Sequence, residues 1–203
     1  MAGRSSRRKM RSSNFRHVEL YLTTRGAAAD ELDRVAVGRC LAGQGDAFGD
    51  IVERYHRPLF NVAFRMLHHL QDAEDATQTV WVNAFLRLAT YNPKYRFFSW
   101  IYRMTVNECL NALKRRKSTV PIDGLDIRAA TPASDRTVEA ADRVGHALMR
   151  LTPDDRAVVV LKHFVSFSYQ EIADVMEITV KTVKSRLFTA RERLRDALSN
   201  PVR

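Results

Sequence analysis

Cysteine is scarce. The 203 residues contain two, Cys40 and Cys109, far apart and without the spacing of a zinc site or the even set of a disulfide scaffold. Both are expected as small core residues, and no metal site is expected. Long apolar runs are also missing. No window approaches the roughly 18 consecutive apolar residues of a membrane span. The arginines near the N-terminus are not followed by the apolar stretch of a signal peptide, so the expected compartment is the cytoplasm. Period-two alternation is too short anywhere to propose a sheet, since the run VVVL at 158–161 lies inside a helical pattern. There is no phosphate loop, dinucleotide fingerprint or nucleophile elbow, and no cofactor is expected. Acidic residues are absent from the first sixteen positions, MAGRSSRRKMRSSNFR, which hold six basic ones.

What is abundant is positive charge and helical periodicity. Lys and Arg number 33 against 23 Asp and Glu, a formal net charge of +10. For a cytoplasmic chain that balance points to nucleic acid or an acidic protein surface. With 45% hydrophobic residues the chain has enough apolar mass for real cores. The expected fold is all-α, with two helical domains joined by a flexible linker, the C-terminal one a helix-turn-helix. Residues 1–29 form a basic arm expected to be disordered, serving equally well as a solubilising tail or as a DNA-touching one. Residues 30–117 form a first domain whose helices break at GQGD (43–46), around 68–72 and at YNPKYR (91–96). Residues 118–137 carry prolines, a glycine and no apolar period, so they read as a tether. Residues 138–200 form the second domain.

Helix ends in that second domain are well marked. Thr152 precedes a proline at the first helical position, Ser168 and Glu171 form a capping box, and Thr179 is placed to cap the next helix. SYQEIADVMEITVKTVKSRLFTARERLR therefore has the layout of a helix-turn-helix. On its second helix Val183, Leu187, Ala190 and Leu194 share one side. Lys181, Lys184, Ser185, Phe188 and Arg195 share the other, with Arg186 at the flank. Such a face suits phosphates and base edges, and an exposed phenylalanine packs on thymine methyls.

Two helices of the first domain carry apolar residues where a soluble helix should be polar. Over 72–88, Ala73, Ala76, Thr77, Val80, Trp81, Ala84 and Leu88 make a core stripe, but Val82 and Leu86 stand among Asp75, Gln78 and Thr79 on the far side. An exposed apolar pair rimmed by polar groups suggests a protein docking face. Over FFSWIYRMTVNECLNALKRRK (97–117), Ile101, Tyr102, Thr105, Val106, Cys109, Ala112 and Leu113 face a core. Trp100, Arg103, Met104, Asn107, Asn111 and Lys114 lie opposite. A ring on a basic face has a use when the ligand is an unpaired base, since stacking contributes about 1 to 3 kcal/mol per base. Asn107 and Asn111 are candidate base readers; Arg103, Lys114, Arg115 and Arg116 are candidate phosphate partners. Tyr95, Arg96 and Phe97 are expected on the preceding loop, where an extruded base could be held.

Taken in order, ELDRVAVGRCLAGQGDAFGDIVERY, DAEDATQTVWVNAFLRL, FFSWIYRMTVNECLNALKRRK and LTPDDRAVVVLKHFVSFSYQEIADVMEITVKTVKSRLFTARERLR resemble the extracytoplasmic-function (group 4) sigma factors of bacterial RNA polymerase. The resemblance covers 30–198. It implies a factor without catalysis of its own that binds core RNA polymerase, directs it to promoter DNA and assists melting, and it admits an anti-sigma partner. By that resemblance Asp72, Glu74, Asp75, Gln78, Thr79, Val82 and Leu86 would grip the polymerase. Tyr95, Arg96, Phe97, Trp100, Arg103, Asn107, Asn111 and Lys114 would serve the −10 element, with Phe98 in the same base-capturing loop. Lys181, Thr182, Lys184, Ser185, Arg186 and Phe188 would serve the −35 element. The tether could reach about 65 Å at about 3.3 Å per residue, comparable with the two duplex turns, about 70 Å, that separate such elements.

The chain departs from the family pattern at Glu177, where a glycine is usual in the turn and another turn shape is therefore expected. It also departs at Thr189 and at Thr79, where an arginine and an acidic residue are frequent. Two other readings compete. An autonomous helix-turn-helix regulator leaves Trp100, Asn107 and the Val82 face without a role. A helical nuclease would draw on His68, His69, Asp72, Glu74 and Asp75, but these surround an expected helix start, where acids complement the helix dipole.

Overall fold

The computed structural model describes residues 27–119 and 136–199. The basic arm up to residue 26 and the tether from 120 to 135 lie outside the described residues. Eight α-helices and one 3-10 turn make up the described part, with no strand among them. They are α1 (Ala27–Leu41), α2 (Ala47–Leu67), α3 (Leu70–Leu86), the turn Leu88–Thr90, α4 (Phe97–Thr119), α5 (Arg136–Met149), α6 (Pro153–His163), α7 (Tyr169–Met176) and α8 (Val180–Ser199).

The breaks fall where the sequence places them, with shifts at the edges. The first helix begins at Ala27, inside the stretch assigned to the arm. Helix α4 runs to Thr119 and α5 starts at Arg136, so each takes two residues from the expected tether. Helix α3 stops at Leu86, and Leu88 reaches the core from the 3-10 turn instead. VVVL is helical and wholly buried within α6.

Caps explain these limits. Thr152 Oγ1 accepts from the Asp155 N–H at 3.2 Å. Ser168 and Glu171 complete both halves of their capping box, and Thr179 Oγ1 accepts from the Thr182 N–H at 3.1 Å. At the start of α3, His69 is the cap, its Nδ1 accepting from the Asp72 N–H at 3.3 Å. Glu177 closes α7 at φ 54°. The turn thus keeps the left-handed form despite lacking glycine, correcting the expectation of another shape; a side chain there costs about 1 kcal/mol.

Helices α1 to α4 form one layer of packing and α5 to α8 another, and one continuous buried cluster runs through both. Ile51, Leu59, Met66, Ile101, Tyr102 and Val106 are buried in the first, and Val158, Leu161, Ile172, Val183 and Leu187 in the second. Phe167 links them, fully buried with its centroid 4.8 Å from Phe98 and 5.1 Å from Tyr102. Burying such a ring contributes about 2 to 3 kcal/mol. Arg156, only 3% exposed, donates to the carbonyls of Leu148, Met149 and Leu151 and, across the junction, to that of Met66. It caps the ends of α2 and α5 at once. Burial pushes its guanidinium down to about 10, so it remains charged at neutral pH. Cys109 is buried and Cys40 half-buried rather than fully in the core; both are free thiols.

Candidate nucleic-acid interface

Helix α8 presents its outer face as the pattern requires. Val183, Leu187 and Ala190 are buried, while Lys181, Lys184, Ser185, Phe188 and Arg195 are exposed, Phe188 at 68%. Thr182 stands half-buried, its hydroxyl 2.8 Å from that of Thr179. Arg186 differs from its neighbours. Its Nη1 lies 3.3 Å from Asp154 Oδ1, close enough to pair but not aligned for a hydrogen bond. A phosphate at that position would have to compete with Asp154.

The outer side of α4 is a different surface. Asn107, Asn111 and Lys114 are exposed. Trp100 is not in open water: its ring is half-buried, 5.6 Å from Tyr91 and 5.4 Å from Phe97. Phe97 corrects the sequence reading most clearly. It begins α4 rather than ending the loop, and it is 2% exposed beneath Tyr55, Tyr91 and Trp100. It supports Trp100 from below instead of meeting a base. Phe98 is likewise buried, under Phe167. The loop residue left outside is Tyr95, 69% exposed, on a segment fixed by the Tyr91 hydroxyl donating to the Tyr95 carbonyl at 2.6 Å.

The four arginines of this surface are engaged by the same chain. Arg96 pairs with Asp30 at 2.9 Å and with Glu171 of α7 at 3.1 Å. Arg103 pairs with Glu177 at 2.9 Å and donates to the Asp174 carbonyl, while its buried Nε has no hydrogen-bond partner. Arg115 and Arg116 lean on Glu108 at 2.8 Å and Asp72 at 3.8 Å. Helix α7, the supporting helix of the helix-turn-helix, therefore lies against part of the surface that the sequence assigns to unpaired bases.

Helix α3 carries the apolar patch. Val82 is 60% and Leu86 72% exposed, and Phe85 beside them is 55% exposed. Phe85 was missed by the sequence reading, although it lies three residues beyond Val82 on the same side. Its ring rests edge-on against Phe48 at 5.2 Å, which holds the patch in shape. Asp72 is half-buried; Glu74, Asp75, Gln78 and Thr79 are exposed along the same helix. Within the set read as a nuclease site, His69 and Asp72 meet as cap and first turn, whereas His68 turns away toward α5.

Comparison with known proteins decides between the readings. Residues 51–119 match sigma-70 region 2, and residues 141–194 match sigma-70 region 4. The chain is 33% identical over 173 residues to the ECF RNA polymerase sigma factor SigM of Mycobacterium tuberculosis H37Rv, covering 83% of this chain and 86% of that one. It belongs to the sigma-70 family, in the ECF group.

The sigma factor is also 29% identical over 170 residues to SigW of Bacillus subtilis, covering 77% of this chain and 91% of SigW. Among solved structures it resembles CnrH in complex with the cytosolic domain of CnrY, with a TM-score of 0.67 and 25% identity over 84% of this chain and 99% of that one. RpoE of Bartonella quintana, solved with the anti-sigma factor NepR, shares the fold at a TM-score of 0.64 and 23% identity, over 77% of this chain and 99% of that one. No described helix of this sigma factor is long and apolar enough to cross a membrane. Sequence reasoning missed Arg156 in the sigma factor altogether, because a charged residue that follows two aspartates at the start of a helix gives no sign that four carbonyls await it.

Proposed function

We propose that this sigma factor divides its work among three outward surfaces. It directs core RNA polymerase to promoters for transcription initiation. Residues 30–117 act as the core-binding and −10 module, 118–137 as the tether and 138–200 as the −35 module, without catalysis of their own and in the cytoplasm, where the polymerase works. The alternative of an autonomous helix-turn-helix regulator is not favoured, because it gives the α3 patch and the α4 face no partner.

The reading is carried by the coexistence, in one chain, of an exposed apolar patch on α3 with two basic faces on α4 and α8. Val82, Phe85 and Leu86 supply the desolvated centre of a polymerase interface and Asp72, Glu74, Asp75, Gln78 and Thr79 its polar rim. Trp100 and Tyr95 offer planes to unpaired bases, Asn107 and Asn111 offer amides to base edges, and Arg96, Arg103 and Lys114 offer charge to phosphates. Lys181, Thr182, Lys184, Ser185, Arg186 and Phe188 enter the groove of the upstream element. Arg96 and Arg103 reach DNA once α7 moves off α4, a separation the tether is long enough to permit. An anti-sigma protein is a further partner in this reading, since the similar RpoE was solved with one.

Run-off transcription from a genomic fragment library tests the class. With core polymerase added, the chain should yield discrete transcripts that core alone does not. The double substitution Val82→Glu and Leu86→Glu should abolish both these transcripts and co-purification with core while leaving helicity unchanged. Normal association of that variant would remove the docking surface from the account.

A further inference from the structure

Where the two halves meet, three metal-ligating side chains converge that lie up to 78 positions apart in sequence (68 to 146). His68 ends α2, and Asp142 and His146 stand one turn apart on α5, on the same face of that helix. His68 Nε2 lies 3.8 Å from Asp142 Oδ1, His146 Nε2 lies 3.3 Å from Asp142 Oδ2, and one donor from each residue falls within 4.8 Å of the others. A tetrahedral ion with bonds of about 2.0 to 2.1 Å sets its ligands about 3.3 Å apart, so small rotations suffice to close the set.

Two backbone features hold the arrangement. His68 adopts the left-handed conformation, φ 49°, which turns its ring out of α2 toward α5. Gly145, between the two α5 ligands, leaves the space that the ring fills. A Cβ there would lie 2.3 Å from His68 Cε1 and 2.8 Å from Nδ1. A mid-helix glycine costs about 1 kcal/mol relative to alanine, and here the gap it leaves admits an imidazole. Burial first, then His146 and Arg156, hold the His68 imidazole below its ordinary range against the pull of Asp142. Imidazole must be neutral to ligate a metal.

We propose that His68, Asp142 and His146 form a binding site for a zinc-class divalent cation that fastens the first half of the molecule to the second. Two imidazoles and one carboxylate suit zinc, whereas magnesium and calcium prefer oxygen donors alone. The fourth position is open to water. Because the ligands come from both halves, the ion binds the packed arrangement more tightly than a separated one and shifts the equilibrium toward it. The consequence for transcription rests on the sigma-factor reading; the metal site itself does not.

The full chain carrying Cys40→Ser, which removes the half-buried thiol as a competing ligand, is titrated with zinc against a chromophoric chelator. One Zn²⁺ should bind per chain at micromolar or lower concentration, unaffected by millimolar magnesium. His146→Ala and Gly145→Ala should each weaken binding by at least about 10-fold, the range seen even for outer-shell losses, with helicity by circular dichroism unchanged. Energy transfer between dyes on the two halves should report a closed-to-open ratio raised by up to about 100-fold at zinc 100 times its Kd. No zinc binding at micromolar concentration overturns the proposal, as does binding unaltered by His146→Ala. Binding that needs His146 but not the space at Gly145 places the ion on α5 alone and overturns the role as a fastener. Zinc binding with these dependences in a chain that fails the run-off assay would leave the site standing and remove the transcription reading.

Discussion

Helices α4 and α8 are both basic, both carry an aromatic ring on the outward side, and both are candidates for DNA, yet they stand in different states. On α8 the lysines and Phe188 face solvent. On the α4 side, Arg96 is paired with Glu171 of α7, Arg103 with Glu177 in the turn after α7 and with the Asp174 carbonyl, and Phe98 is covered by Phe167. Composition of a face therefore does not fix its availability. Acidic residues of the helix-turn-helix support stand in for phosphates on one surface and leave the other free. A promoter-bound arrangement has to exchange the first set for DNA, whereas on the second the lysines and Phe188 need no exchange and only Arg186 has to give up Asp154.

The contrast breaks most strongly at Phe167. Truncation to alanine removes the ring that joins the halves and should lower stability to urea by about 3 to 5 kcal/mol; a loss under about 1 kcal/mol would mean the junction is not packed as described. A smaller effect is expected at the two basic faces. In nonspecific duplex binding by the free chain, Lys184→Ala should reduce the slope of log affinity against log salt by about 0.9. Arg103→Ala should leave that slope unchanged, because its guanidinium is occupied; equal reductions would show that α4 is as open as α8. The smallest effect belongs to the turn. Glu177→Gly should relieve about 1 kcal/mol of left-handed strain, less up to about 1 kcal/mol for the exposed pair with Arg103. Thermal unfolding should therefore show a small gain or no change, and a loss above about 1 kcal/mol would mean that Glu177 does more than tolerate the turn.

Much of this was legible in the sequence because it depends on local rules. The capping box at Ser168 and Glu171, the Thr152-Pro153 start and the stripe Val183, Leu187 and Ala190 are fixed by neighbours within one or two helical turns. The exposed Val82 and Leu86 followed from the same periodicity, and Phe85 should have. What was not legible depends on contacts between distant segments. That Phe97 is buried beneath Tyr55 and Tyr91 follows from packing within the first half, and that Arg156 bonds the Met66 carbonyl and Arg103 meets Glu177 follows from how the two halves pack; no periodicity encodes either. The left-handed turn at Glu177 was misjudged because a cost of about 1 kcal/mol is small beside the helices that the turn joins.

The claim that the halves must part before DNA is engaged is tested most directly by tying them together away from either DNA surface. The Arg65 guanidinium lies 3.7 Å above the Phe164 ring, across the junction. Arg65→Cys with Phe164→Cys, in a Cys40→Ser chain, can be bridged by a short bismaleimide. The buried Cys109 thiol, pushed up to about 12, will not compete. In run-off transcription with core polymerase the unbridged variant should initiate and the bridged one should not. Equal initiation by both would contradict the account.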